Sequence, residues 1–226
     1  MPLKAIVFDF DGVLANSEPL HCLSFQRVLA SESVHLSDEE YYARYLGFDD
    51  VGVFRAIASD RAIAWDARRI ADLVAMKALA MEELERDGSV LFPGAADAIR
   101  RAAAAVPIAI ASGAIGPEIR RTLDREQLTP LFAAIVAAED TRRSKPAPDP
   151  YLLAVDRLGT VVRDSLDPGE CLAIEDSRWG LESARAAGLK TVAVGQTYDV
   201  ANLPADLAID SIAALDLHLF ASLFTR

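Results

Sequence analysis

Only two cysteines occur in the chain, Cys22 and Cys171, and neither lies in a CxxC or Cys/His cluster. That excludes a zinc ribbon and a disulfide-stapled scaffold. Both thiols are expected to be reduced and packed. No apolar run reaches the ~18 residues of a membrane span. The first ten residues, MPLKAIVFDF, also lack the order of a signal peptide. A soluble, cytoplasmic protein is expected. Positive charge is scarce: 23 Lys and Arg stand against 34 Asp and Glu, a net charge of −11. That balance argues against a nucleic-acid or anionic-membrane surface, though not against an anionic small molecule in a local site. Lysine is rarer still, with only Lys4, Lys77, Lys145 and Lys190. Internal repeats and low-complexity linkers are missing as well.

What remains is an alternation. The short apolar runs 5–10, 107–112, 133–138, 171–176 and 191–195 are apolar on both faces, the look of parallel strands covered on both sides. Helical patterns separate them at 94–105, 149–159 and 177–188. In the second, Asp149 and Pro150 form a start signal and Gly159 reads as a stop; in the third, Ser177 reads as an N-cap. Such alternation implies right-handed crossovers and an open α/β sheet. Residues 17–88 break it, showing helical periodicity and no convincing strand. Their clearest helix is 66–87, with Ile70, Leu73, Val74, Met81 and Leu84 on one face and Lys77 read as snorkelling at its edge. The expected organisation is therefore an α/β core of residues 1–16 and 89–226 with a helical insert at 17–88.

Ligands of open parallel sheets bind beyond the carboxyl ends of the strands. Here those ends carry Asp9 and Asp11, then Ser112 and Gly113, then Glu175 and Asp176. Lys145 follows the third strand in RRSKPAPDP. Several carboxylates with no Cys/His cluster suit a hard cation, Mg²⁺ above all. A lysine, a serine hydroxyl and main-chain N–H groups at a helix start suit a phosphoryl group. One carboxylate can act as nucleophile while a second moves protons.

The segments DFDGVLANSE, IASG, SKPAPDPY and IEDS, in that order, resemble the four motifs of the haloacid dehalogenase superfamily of phosphohydrolases. The helical insert stands where subgroups similar to β-phosphoglucomutase and phosphoglycolate phosphatase carry a helical cap. The resemblance implies a Rossmann-like open parallel sheet with an inserted α-helical cap domain. It implies Asp9 as nucleophile and metal ligand, and Asp11 as acid/base that also offers its main-chain oxygen to the metal. Ser112, Gly113 and Lys145 would bind phosphate; Asp176 would bind Mg²⁺, with Glu175 reaching it directly or through water. Hinges near 13–17 and 88–93 would let the cap open. In the cap, Glu18, His21 and Gly47 are candidate substrate contacts. The expected reaction is hydrolysis of a small phosphomonoester by a monomer or homodimer. A phosphosugar mutase is the alternative, and a non-catalytic phospho-receiver a more distant one. The acidic stretch YLGFDDVGVF at 45–54 and the pair Ala114 and Ile115 favour the phosphatase, since a mutase must also hold a second phosphate.

Overall fold

The computed structural model describes residues 2–46, 48–86, 89–162, 166–197, 200 and 203–224. The chain divides into two compact units, one made of Met1–Asn16 with Ser89–Arg226 and the other of Ser17–Gly88.

The larger unit is a six-stranded parallel sheet. Its strands are β1 (Ala5–Phe8), β2 (Ile108–Ala111), β3 (Phe132–Val136), β4 (Cys171–Glu175), β5 (Lys190–Val194) and β6 (Leu207–Ile209), in the order β3-β2-β1-β4-β5-β6. The order reverses at β1, which lies between β2 and β4. A crevice opens at such a switch point, beyond the carboxyl ends of the strands. Helices α5 (Ala95–Ala105), α6 (Gly116–Arg125), α7 (Asp149–Val162), α8 (Arg178–Ala186) and α9 (Leu217–Ser222) connect or follow the strands.

Strand residues alternate between two cores. Ile6, Phe8, Ile108, Ile110, Leu172, Ile174, Val192 and Val194 pack with Ile99 of α5, Leu123 of α6 and Phe220 of α9. On the opposite face Ala5, Ala109, Ala111, Ala134 and Ala173 meet Tyr151, Ala154 and Leu158 of α7 and Ala184 of α8. One face thus carries mostly large side chains, and the other mostly small ones, with Val7 and Val136 among them, around the ring of Tyr151. Each buried large aliphatic contributes roughly 1.5–3 kcal/mol relative to exposure.

Helices α6 and α9 have no counterpart in the sequence-based expectation, and two further details differ from it. α7 runs through Gly159 to Val162; packing of Tyr151, Ala154 and Leu158 offsets the ~1 kcal/mol that a helical glycine costs. β6 has only three residues, too few for periodicity to reveal, and exists because it pairs with β5.

The smaller unit holds α1 (Glu18–Ser31), α2 (Asp38–Arg44), α3 (Asp50–Asp60) and α4 (Ala67–Glu85). Three of these have side-chain N-caps that sequence chemistry favours: Ser37 accepts from Glu40 N–H, Asp49 from Gly52 N–H and Asp66 from Arg69 N–H. Phe25, Leu29, Tyr41, Phe54, Ile57 and Leu73 form its core. Among the described residues, no helix is long and apolar enough to cross a membrane.

Candidate active site

The first strand delivers its carboxylate by continuing one residue past Phe8. Asp9 N–H donates to the Ile174 oxygen at 2.9 Å, so the chain is still held to β4 where the aspartate begins. The next residues close a turn: Gly12 N–H donates to Ala15 O, while Leu14 and Ala15 N–H both donate to Phe10 O. Phe10, Val13, Leu14 and Ala15 anchor that turn in the core. Gly12 has φ +77°, and a Cβ there would lie 1.9 Å from Asp176 Oδ2. Backbone conformation and space therefore both demand glycine.

Asp9 is buried, and among the described residues two donors meet at one of its oxygens. Phe10 N–H reaches Oδ1 at 2.8 Å, and Lys145 Nζ reaches it at 2.8 Å. The same Nζ donates to Glu175 Oε1 at 2.5 Å and lies 5.3 Å from the centre of the Tyr151 ring. Lys145 precedes α7, so the loop after β3 carries it back to the end of β1.

Glu175 is fully buried at the end of β4 and is held at both oxygens. Oε1 accepts from Lys145 and from the Tyr151 hydroxyl at 2.7 Å. Oε2 accepts from the main chain of Asp176 and Ser177 and from the Ser177 hydroxyl. A Cβ on Gly180 would lie 1.9 Å from Glu175 Cδ and Oε1, so the first turn of α8 is glycine where it passes the carboxylate. Ser177 caps this helix, accepting from Gly180 N–H at 3.1 Å.

Asp9, Glu175 and Asp176 each offer a carboxylate oxygen, all within 4.8 Å of one another. Burial, then repulsion from Glu175, raises Asp9 well above the usual carboxylate range, with Lys145 opposing. Asp176 is pushed up to about 7 by burial first and Glu175 next. Burial works against the charge of Lys145, but Asp9 and Glu175 outweigh it and raise its pKa. Among the described residues the three buried carboxylates have one ammonium beside them, paired to Asp9 and Glu175, so a divalent cation would supply further positive charge. All-oxygen donors of this kind fit a hard ion. The cluster can hold such a metal.

The other expected core residues lie at the same sheet edge. Phe8 pairs with Ile110, so Ser112 and Gly113 follow β2 at the end where Asp9 follows β1. Ser112 is buried and its Oγ accepts from Ala114 N–H at 3.0 Å. A Cβ on Gly113 would meet nothing within 4 Å. Asp11 lies half-buried in the turn and bridges to Ala15.

Within the helical unit, Glu18 accepts from the Tyr41 hydroxyl at 2.5 Å, and His21 Nδ1 lies 2.7 Å from Lys77 Nζ. Lys77 does not snorkel. It is 3% exposed, ion-paired to Asp50 at 2.9 Å and 5.1 Å from the centre of the Phe25 ring. Periodicity placed it at the stripe's edge but carried no sign of its partners. Gly47 lies outside the described residues. Its neighbour Phe48 is 55% exposed, and Asp49 caps α3. Sequence reasoning assigned no role to Tyr151 or Gly180, because a core tyrosine and a helical glycine look ordinary without Glu175 beside them.

The haloacid dehalogenase-like hydrolase family model matches residues 3–188. The chain belongs to that family and is an enzyme, a hydrolase. It is 36% identical over 208 residues to Protein CbbY of Rhodobacter capsulatus, covering 88% of each chain. It is 29% identical over 195 residues to a phosphorylated carbohydrates phosphatase of Thermotoga maritima, covering 84% of each. Among solved structures, it is similar to a variant of CbbY from Rhodobacter sphaeroides in complex with xylulose-(1,5)bisphosphate. That match has a TM-score of 0.77 and 27% identity, over 94% of this chain and 96% of the other.

Proposed function

We propose that the protein is a Mg²⁺-dependent phosphatase of a small phosphorylated metabolite, a sugar phosphate or phosphoglycolate-like compound, working through an aspartyl-phosphate. The observation that carries the reading is the Asp9 carboxylate, pinned at Oδ1 by Lys145 and the Phe10 N–H amid two more buried carboxylates. That leaves Oδ2 as the attacking oxygen. It bonds to phosphorus in line as the ester P–O bond breaks, and Asp11 gives its proton to the departing alcohol oxygen. Asp11 then takes a proton from water, whose oxygen displaces Asp9 and releases inorganic phosphate. Ser112, Gly113 and Lys145 bind the phosphoryl oxygens.

Asp9, Asp176 and the main-chain oxygen of Asp11 would hold Mg²⁺. The many donors already on Glu175 favour its reaching the ion through water. Bound there, the ion would supply the positive charge that offsets the negative charge spread over the phosphoryl group.

Asp50 compensates the charge of Lys77, beside a second acid at Asp49. The acidic stretch at 45–54 is the sequence feature that favours a substrate with one phosphate over the bisphosphate of a mutase. Phosphate release from p-nitrophenyl phosphate and a panel of sugar mono- and bisphosphates tests the reading. Mg²⁺-dependent hydrolysis of monophosphates is expected, with a loss on the order of a thousandfold or more in Asp9→Asn. Unchanged turnover in that variant would remove Asp9 as nucleophile. Conversion of a hexose 1-phosphate to its isomer without free phosphate would favour the mutase.

A further inference from the structure

The turn that carries Asp11 is tied down by a side chain far away in sequence. Gln196 follows β5, and its amide has partners at both ends. Nε2 donates to the main-chain oxygens of Gly12 at 3.3 Å and Val13 at 3.0 Å. Oε1 accepts from Ile212 N–H at 2.9 Å and from the Ser211 hydroxyl at 3.3 Å. The next residue, Thr197, places its hydroxyl 3.4 Å from the Gly12 oxygen and hydrogen-bonds the Asp176 carboxylate.

We infer that Gln196 is a positioning residue that ties the 11–13 turn to the segment after β6 and so holds Asp11 in register for proton transfer. Glycine at the centre of the turn leaves the backbone permissive, so local sequence alone does not lock it. A proton donor must come within hydrogen-bond reach of the leaving oxygen, and a misplacement of about 1 Å can cost on the order of a hundredfold. Glutamine is suited to the task because one neutral planar group donates to two carbonyl oxygens and accepts on its far side. Glutamate would keep the acceptor towards Ile212 and Ser211 but turn a second oxygen towards the Gly12 and Val13 carbonyls.

The catalytic part of this role rests on the phosphatase reading, whereas the tether does not, so two measurements are paired on Gln196→Met and Gln196→Glu. The first is amide hydrogen exchange by NMR. In Gln196→Met the Gly12, Leu14 and Ala15 amides are expected to exchange about tenfold faster, with the β1 and β4 amides unchanged. Wild-type exchange at those three amides would overturn the tether.

The second measurement is kcat/KM on two esters, p-nitrophenyl phosphate and a small alkyl phosphate. A nitrophenolate leaves with little help, whereas an alkoxide needs the proton. Both variants are expected to lose about tenfold on the alkyl ester and less than about threefold on the aryl ester. Equal losses on the two esters, or wild-type behaviour of Gln196→Glu, would overturn the positioning role. Hydrolysis of neither ester by the wild-type protein would overturn the phosphatase reading and the catalytic role with it, while exchange still decides the tether.

Discussion

Two glycines separate stability from chemistry at this site. A methyl group on Gly180 would collide with the Glu175 carboxylate, which is buried and held at both oxygens. Gly180→Ala is therefore expected to destabilise the protein by about 1–3 kcal/mol in chemical denaturation. Gly113 presents the opposite case, since its added Cβ meets nothing within 4 Å. Gly113→Ala is expected to melt like the wild type yet hydrolyse phosphomonoesters more slowly if, as proposed, phosphate binds beside Gly113.

The carboxylate cluster sets a pH dependence of definite sign. Asp176 rises from its ordinary 3.8 to about 7 through burial and Glu175, so the folded state holds the proton more tightly than the unfolded chain. Its stability contribution is complete below about pH 4 and is lost as the pH climbs towards 7. A divalent cation favours the ionised carboxylates and opposes that loss. Thermal melts in a chelator and in MgCl₂ should show Mg²⁺ raising Tm more at about pH 8 than at about pH 5, with Asp176→Asn flattening the difference.

Helices α8 and α4 each hinge on one polar arrangement. Ser177 caps α8 through Gly180 N–H and donates to Glu175 Oε2, so it joins helix initiation to the carboxylate cluster. In α4 the decisive group is Lys77, buried with Asp50 of α3 as its counter-charge and His21 Nδ1 2.7 Å from its Nζ. Removing one partner strands a buried charge, whereas replacing the lysine by an apolar chain of similar volume does not. Asp50→Ala is expected to lower stability by roughly 1–3 kcal/mol, and Lys77→Met by less, when urea transitions are compared. The helical pattern of α4 was legible from its apolar spacing. Its ion pair was not, because periodicity reports the face a residue occupies and says nothing of a partner on another helix.

The two units have separate cores. Every residue of the two sheet-side clusters comes from 1–16 or 89–226, and every residue of the helical cluster from 17–88. The chain also leaves and re-enters the α/β unit at one place: Asn16 N–H donates to Val90 O at 2.7 Å, and Ala15 bridges to Leu91. Replacing residues 17–88 by a short Gly/Ser linker is thus expected to leave an α/β protein that unfolds cooperatively, as circular dichroism during thermal denaturation would record. A chain without a cooperative transition would show that the sheet unit needs the helical one to fold.

The alternation of strands and helices, the family and the residues at the strand ends were all readable from the amino-acid order. Doubly buried parallel strands require apolar runs, and carboxylates ending such runs are costly unless something compensates them. The order β3-β2-β1-β4-β5-β6, the three-residue β6 and the side chains that complete the site were decided only by the tertiary structure. Gln196 meets Gly12 across 184 residues, and Gly180 is glycine because of a carboxylate that its own helix does not contain. The physical reason is range: strand and helix patterns are local, whereas Lys145 meets Asp9 and Glu175, Tyr151 meets Glu175, and Gln196 meets the turn that carries Asp11 only once segments distant in the chain have packed together.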